Sequence, residues 1–229
     1  MNLDLYAYHS SPDELLVLGD KRTLESKLFF EKFFPEAVET GTFEDIIKTP
    51  TYAIQYAMVN KWNRFEIAEK YIAKSAKYSY RYAVHILKDK FPMGEKSIST
   101  SSEYSQLYGI STQKRFKLGE PAILKNPVDA ATYASNVIKG RWKEAEPIIL
   151  SDFEAIFSYV EYVVKGRWKD AEPIIMKHKD KDIVNEYFWI LLDTLSYDVD
   201  KFLKSKYRKQ FINFVKSVGL EGYEEDELK

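Results

Sequence analysis

A unit of about 26 residues recurs five times in this 229-residue chain. This repeat restricts the possible folds more than any other feature, because self-similarity at a fixed period is typical of repeat architectures. The two clearest copies contain residues 137–149 and 163–175, which are identical at eleven of thirteen positions. The other three copies keep the same landmarks with more substitutions.

The landmarks occur in the same order in every copy. A basic residue followed by an aromatic residue stands at Arg64-Phe65, Lys90-Phe91, Arg115-Phe116, Arg141-Trp142 and Arg167-Trp168. The aromatic residues are 26, 25, 26 and 26 positions apart. Four residues after each comes a glutamate, at Glu69, Glu95, Glu120, Glu146 and Glu172. A tyrosine precedes each pair, at Tyr56, Tyr82, Tyr108, Tyr133 and Tyr159. We call these five the repeat tyrosines.

The fourth copy indicates how each unit folds. Asn126 can cap a helix whose first position is Pro127, where the missing N–H costs nothing. Apolar residues then recur at helical spacing up to Ile138. We expect Gly140 to end this helix, because glycine readily adopts the left-handed conformation after a C-cap. Residues 143–150 follow as a second, shorter helix. In the second copy, Pro92 marks the expected start of that helix.

A helix pair of this length cannot bury its apolar stripe alone, so the copies are predicted to stack on one another. The chain is therefore predicted to be all-α, with a short α-solenoid of about five 26-residue helix-turn-helix repeats. The predicted parts are an N-terminal helical cap (1–46), the solenoid (47–176), a C-terminal helical cap (177–220) and an acidic tail (221–229). The first cap carries a capping-box signature from Ser11 to Glu14. The second is predicted to contain helices 183–195 and 199–218.

Composition limits where the chain can act. Cysteine is absent, which excludes disulfides and thiolate chemistry and favours a reducing compartment. The N-terminus lacks a secretory pattern, and no run approaches the roughly 18 apolar residues of a membrane span. We expect a cytoplasmic protein without membrane contact. Residues 47–176 carry 20 basic and 14 acidic residues, so the repeats are mildly basic.

The run from Val137 to Pro147, with its Lys-Gly-Arg-Trp and Ala-Glu-Pro elements, resembles short repeats in proteins of tailed, T-even-like bacteriophages. The resemblance covers about residues 47–176 and is weaker in the third copy, where Gln113 or Lys114 matches Gly140. It implies an early phage protein in the cytoplasm of an infected bacterium. By analogy, such a protein would bind and modulate or inhibit a host enzyme, a transcription component or a defence factor.

Catalytic and metal-binding patterns are missing from the sequence. There is no Gly-x-Ser-x-Gly elbow and no glycine-rich phosphate loop. His9, His85 and His178 are far apart, and none has the spacing of a helical metal pair. We therefore expect a protein that is not an enzyme and that needs no cofactor or metal.

Two interpretations remain open for the basic residues. The row Arg64, Lys90, Arg115, Arg141 and Arg167 could form a ridge that follows a phosphate backbone, with neighbouring lysines beside it. These neighbours are Lys61, Lys88, Lys114, Lys139 and Lys165. Alternatively, each arginine forms an ion pair with the glutamate of its own or the next copy. The second interpretation is favoured, because the glutamates keep register with the arginines.

The aromatic residues also allow two interpretations. The repeated Phe and Trp are predicted to pack in the core, because the position accepts either ring. Tyrosines are especially frequent in the first three copies, at Tyr52, Tyr56, Tyr78, Tyr80, Tyr82, Tyr104 and Tyr108. Since tyrosine is favoured at protein interfaces, some of this set is predicted to bind a partner. The leading hypothesis is thus a protein-binding repeat protein with a host protein as partner, and the alternative is an RNA or single-stranded DNA binder.

Overall fold

The structure is a computed structural model that describes residues 19–37, 41–194 and 204–219. These residues form helices joined by short turns and contain no β-strand. The predicted all-α class is therefore confirmed. The capping-box signature at Ser11 to Glu14 and the acidic tail lie outside the described residues.

The chain divides into two compact units, residues 1–122 and 123–229. The helices of the first unit are α1 (Gly19–Phe33), α2 (Phe43–Lys48), α3 (Pro50–Val59), α4 (Glu66–Ile72), α5 (Ala76–Tyr82), α6 (Pro92–Ile98) and α7 (Ser102–Thr112). Its core contains large aromatic side chains such as Phe30, Phe65 and Phe91. The short helix α8 (Glu120–Ile123) includes the residues at which the chain divides.

The second unit has its own core and longer helices at its C-terminal end. Its helices are α9 (Pro127–Tyr133), α10 (Glu146–Ile149), α11 (Phe153–Tyr159), α12 (Glu172–Ile175), α13 (Lys181–Thr194) and α14 (Arg208–Ser217). Trp142, Trp168, Phe188 and Phe211 are among its buried core residues. The predicted helix 183–195 corresponds to α13, whereas the predicted helix 199–218 is observed only from Arg208 onward within the described residues.

Each sequence copy contributes two helices, in the order α3 and α4, α5 and α6, α7 and α8, α9 and α10, and α11 and α12. Two of the predicted helix starts are confirmed. Asn126 caps α9 by accepting a hydrogen bond from the Asp129 N–H at 3.0 Å, and Pro127 is its first residue. Pro92 begins α6. The five repeated rings are 0 to 7% exposed, so the core position predicted for them is also confirmed.

The second helix of the fourth copy starts later than predicted. It begins at Glu146 rather than at residue 143. Residues 143–145 instead form a turn, in which the Trp142 carbonyl accepts hydrogen bonds from the Ala145 and Glu146 N–H groups at 3.0 and 3.1 Å. Pro147 follows in the first turn of α10, where its missing N–H is tolerated.

The prediction for Gly140 is wrong. The left-handed residue of the fourth copy is Lys139, with φ of 57°, and the equivalent residues Lys61, Lys88, Gln113 and Lys165 have φ between 50° and 55°. Gly140 does not have a positive φ. The left-handed C-cap, Lys139, therefore lies one residue before the glycine. The left-handed residues also show how the third copy aligns with the fourth: Gln113 corresponds to Lys139, and Lys114 corresponds to Gly140.

A π-helical turn explains the position of this C-cap and the one irregular spacing. The first helices of copies two, four and five end in π turns at Ala83–Leu87, Ala134–Ile138 and Val160–Val164. In these copies the left-handed residue comes six positions after the repeat tyrosine, and in copies one and three it comes five positions after. A π turn accommodates one inserted residue in an α-helix. The third copy lacks that residue, and it does not have the extra residue that the first copy carries between its left-handed residue and Phe65, which gives the spacing of 25 between Phe91 and Phe116.

Two glycine substitutions are expected to differ in their effect on stability. A Cβ added at Gly94 would lie within 2.6 Å of the Ser79 side chain and closer still to the Phe91 ring, whereas a Cβ at Gly140 meets nothing within 4 Å. We expect Gly94→Ala to lower the free energy of unfolding by about 1–3 kcal/mol through overpacking. Gly140→Ala should leave it unchanged or raise it by up to about 1 kcal/mol. Urea denaturation followed by circular dichroism measures both, and a large loss in Gly140→Ala would contradict the assigned C-cap.

Candidate functional site

The repeat tyrosines connect consecutive copies through buried hydrogen bonds. The Tyr159 hydroxyl accepts from the Trp142 N–H at 2.7 Å and donates to Glu146 Oε1 at 3.2 Å. A tyrosine of the fifth copy is thus hydrogen-bonded to both the turn and the glutamate of the fourth copy. We call this arrangement of tyrosine hydroxyl, aromatic N–H and glutamate a tyrosine node.

The same node recurs in other copies of the described part of the chain. Tyr82 accepts from the Phe65 N–H at 2.5 Å and donates to Glu69 at 3.1 Å. Tyr108 bonds in the same way to Phe91 and Glu95, at 2.8 and 3.0 Å.

Tyr187 supplies a further node from a helix that the repeat does not include. Its hydroxyl contacts the Trp168 N–H at 3.1 Å and Glu172 at 3.4 Å. Tyr187 lies on α13. It makes for the fifth copy the two hydrogen bonds that the repeat tyrosine of a following copy makes for the others. The sequence did not reveal this role, because the spacing from Trp168 to Tyr187 is 19 residues rather than 17.

Burial keeps the node hydroxyls protonated. It raises the pKa of Tyr82, Tyr108 and Tyr187 far above the usual value and that of Tyr159 to about 12. For Glu146, burial alone would raise the pKa, but hydrogen bonds from Arg141 and Lys143 outweigh it and hold the pKa below its usual value. In this node a neutral tyrosine donor therefore faces the charged Glu146 carboxylate.

The repeat arginines form ion pairs with the glutamates of their own copies. The Nε to Oε1 distances are 2.9 Å for Arg64–Glu69, 2.8 Å for Arg115–Glu120, 2.7 Å for Arg141–Glu146 and 2.6 Å for Arg167–Glu172. The ion-pair interpretation is thus confirmed in four copies. Lys90 takes the arginine position in the second copy and forms no ion pair with a described residue. The exposed Lys139 and Lys165 lie beside the paired arginines, and the nucleic-acid ridge stays a prediction.

The tyrosines proposed for partner binding fall into two groups. Tyr56, Tyr82 and Tyr108 are 4%, 0% and 1% exposed, so they belong to the core. Tyr52, Tyr78, Tyr80 and Tyr104 are half-buried and keep part of each ring at the surface.

Three of the half-buried tyrosines occupy equivalent positions. Tyr52, Tyr78 and Tyr104 each lie four residues before the repeat tyrosine, on α3, α5 and α7. We call these three the tyrosine row. In copies four and five, Asp129 and Ala155 occupy the same position. The row is therefore confined to the first compact unit.

Neighbouring side chains hold the tyrosine row in place. The Thr51 hydroxyl donates to the Tyr78 oxygen at 2.7 Å, which joins α3 to α5. The rings of Tyr80 and Tyr104 are 5.8 Å apart between centroids. Tyr52 packs against Phe34, with ring centroids 4.5 Å apart. Rings that are already ordered lose little conformational entropy when a partner binds.

An apolar surface position also distinguishes the two units. Met93 and Leu118 are each 56% exposed and stand two residues after the repeated aromatic. The equivalent residues of copies four and five are Glu144 and Asp170. Asp170 lies 3.8 Å from Arg141 Nη2 of the preceding copy. This difference between apolar and acidic residues is visible in the sequence when the copies are aligned, but the position is not one of the shared landmarks.

The described part of the chain contains neither a metal-binding cluster nor a membrane-spanning helix. Within residues 19–37, 41–194 and 204–219, no cluster of three or more His, Asp or Glu side chains could hold a metal ion. His85 and His178 are both exposed, and His9 lies outside the described residues. None of the described helices combines the length and the apolar character needed to cross a bilayer.

The helices and the tyrosine nodes define an all-helical protein with internally repeated helix pairs. No family model, curated protein or solved structure matches this chain. Its function must therefore be argued from its own residues.

Proposed function

We propose that this chain is a non-enzymatic helical repeat protein that binds another protein through the tyrosine row. The observation that carries the proposal is the repetition of a half-buried tyrosine at one position of α3, α5 and α7. These rings pack against the core of the first unit and keep part of their surface exposed. Tyrosine supplies large contact area and a polar end, which is why it is frequent among residues that dominate binding energy.

The proposal includes stacking of the five copies as a short α-solenoid, with residues 1–46 and 177–220 as caps. The tyrosine nodes support it, because each links the turn of one copy to the first helix of the next. Repeats that contact only their neighbours build extended binding surfaces in this way. The row would then lie on α3, α5 and α7, which are the first helices of three consecutive copies.

The surface near the second helices supports a protein partner over a nucleic acid. Met93 and Leu118 add exposed apolar area to the first unit, and exposed apolar area of this kind favours protein contacts. Among the ridge residues, Arg64, Arg115, Arg141 and Arg167 each share their charge with a glutamate. The RNA or single-stranded DNA alternative through this ridge is accordingly the weaker proposal.

The proposed partner is a host protein. This part of the proposal rests on the resemblance of residues 47–176 to repeats of tailed-bacteriophage proteins. An early phage protein of this kind would act in the host cytoplasm by inhibiting or modulating an enzyme, a transcription component or a defence factor.

Loss of the tyrosine row should abolish partner capture. We expect Tyr78→Ala/Tyr104→Ala to reduce enrichment of the partner at least about tenfold, because a tenfold change corresponds to only about 1.4 kcal/mol of binding energy. The measurement is an affinity pull-down of the tagged full chain from a bacterial lysate, quantified by mass spectrometry. Ala155 occupies the equivalent position in the fifth copy, so the substitution should be compatible with the fold.

The matched control is Tyr162→Ala, which removes a 57% exposed tyrosine from the second unit. It should capture the partner as the unmodified chain does. Equal capture by all three proteins, or no protein enriched by the unmodified chain, would count against the proposal.

A further inference from the structure

A hydrogen bond joins two basic segments in the second unit. Gln210 Nε2, in the first turn of α14, donates to the Met176 carbonyl at the end of α12, at 3.1 Å. The segment 177–181 follows Met176 directly, and the segment 204–209 leads into Gln210. The contact therefore places the two segments near each other within this unit.

These segments carry six exposed lysines, at Lys177, Lys179, Lys181, Lys204, Lys206 and Lys209. We call them the basic cluster. None of the six forms an ion pair with any carboxylate in the described part of the chain. From Lys201 to Gly219 the sequence contains six basic residues and no acidic one. The cluster thus differs from the repeat arginines, whose charges are shared with glutamates.

We propose that the basic cluster binds the phosphate backbone of nucleic acid without sequence preference. Lysine ammonium groups are mobile, strongly hydrated point charges that need no fixed geometry. A duplex presents one phosphate charge per about 1.7 Å of its axis, and neutralising it releases counterions. Contacts of this kind determine affinity and position, not sequence.

The packing of α14 argues against a lipid surface as the ligand. An interfacial helix inserts an exposed apolar face into the headgroup region. The apolar side of α14 is already used, because Phe211, Phe214 and Val215 are 2%, 2% and 4% exposed and belong to the core. Apart from the part-buried Ile212, the groups of this helix that remain for a ligand are charged or polar.

The test compares the full chain with two quadruple variants. Lys177→Gln/Lys179→Gln/Lys206→Gln/Lys209→Gln removes four charges from the cluster. Lys88→Gln/Lys114→Gln/Lys139→Gln/Lys165→Gln removes four exposed charges from the repeats. Glutamine already occupies the left-handed position of the third copy at Gln113, so the control should keep its fold. Circular dichroism verifies the helical content of both variants.

Binding is followed by fluorescence anisotropy with a labelled DNA duplex and a labelled single-stranded RNA, between about 50 and 200 mM salt. We expect the unmodified chain to bind both, with affinity falling steeply as salt rises. The cluster variant should bind at least about tenfold more weakly at the lowest salt, and its salt slope on the duplex should fall by about 0.9 for each phosphate that it no longer neutralises. The repeat variant should bind nearly as the unmodified chain does.

Three outcomes would overturn the proposal: no binding by the unmodified chain at the lowest salt, an equal loss in both variants, or tighter binding to phosphatidylserine vesicles than to either nucleic acid. The cluster lies within residues 123–229 and the tyrosine row within 1–122. The Tyr78→Ala/Tyr104→Ala variant should therefore bind nucleic acid normally, which separates failure of this proposal from failure of the proposed function.

Discussion

Replacing Glu172 with alanine is expected to lower the free energy of unfolding by about 3–5 kcal/mol. Its carboxylate receives two hydrogen bonds from Arg167, at 2.6 and 2.8 Å, and one from the Tyr187 hydroxyl at 3.4 Å. The side chains of Arg167 and Glu172 are only 18% and 4% exposed. Alanine would leave a largely buried guanidinium and a buried hydroxyl without this acceptor, and water cannot fully replace it.

Urea denaturation of the purified variant measures this loss. The control is Glu44→Ala, which removes a helix-surface pair with Lys48 whose side chains are 70% and 52% exposed. Exposed pairs one helical turn apart contribute about 0.3–0.5 kcal/mol, so the control should change little. Equal effects of the two substitutions would mean that the Arg167–Glu172 pair is no more stabilising than a surface contact.

Local sequence rules predicted much of this fold. The N-cap at Asn126 and the helix start at Pro92 depend only on a residue and its nearest neighbours. The burial of Trp142 and Trp168 followed from a position that keeps an aromatic ring in every copy. The ion pairs followed from a constant spacing of five residues between arginine and glutamate.

Features that depend on a single inserted residue or on a partner outside the repeat were not predictable in this way. Gly140 suggested the left-handed C-cap by residue type, but the structure has that conformation one residue earlier, at Lys139. Tyr187 completes a node from α13, and no landmark of the five copies points to it. The basic cluster depends on a contact between Gln210 and Met176, 34 residues apart. The acidic tail follows these segments. In a charge count over the whole C-terminal part, its negative charges therefore offset the positive charges of the cluster.

The tyrosine nodes also predict an alkaline unfolding transition between about pH 10 and 12. In the unfolded chain a tyrosine ionises near pH 10, whereas burial raises the pKa of Tyr159 to about 12 in the folded protein. Between these values the unfolded state binds fewer protons than the folded state, so the free energy of unfolding falls as pH rises. The contribution of Tyr159 is present below pH 10 and lost as pH approaches 12. Two pKa units correspond to roughly 3 kcal/mol.

The pKa values of Tyr82, Tyr108 and Tyr187 are raised for the same reason. Each of them lowers the free energy of unfolding further as pH rises, so we expect the helices to unfold before pH 12. Circular dichroism and the absorbance of tyrosinate, recorded on the same samples, should show a shared cooperative step. Tyrosinate absorbance that appears near pH 10 while full helicity is retained would contradict the burial of the node hydroxyls.

Tyr159→Phe distinguishes the loss of stability caused by ionisation of the node tyrosine from other effects of high pH. The variant should be less stable at pH 7, because the Trp142 N–H and Glu146 lose a hydrogen-bond partner at a cost of about 1–3 kcal/mol. Its stability should then fall less steeply with pH, since it has one fewer buried hydroxyl to ionise. The control Tyr162→Phe removes a hydroxyl whose raised pKa comes from a hydrogen bond with Glu161, and because that tyrosine is 57% exposed, both quantities should change little. The same pH slope in Tyr159→Phe as in the unmodified chain would show that the node tyrosine ionises freely in the folded protein.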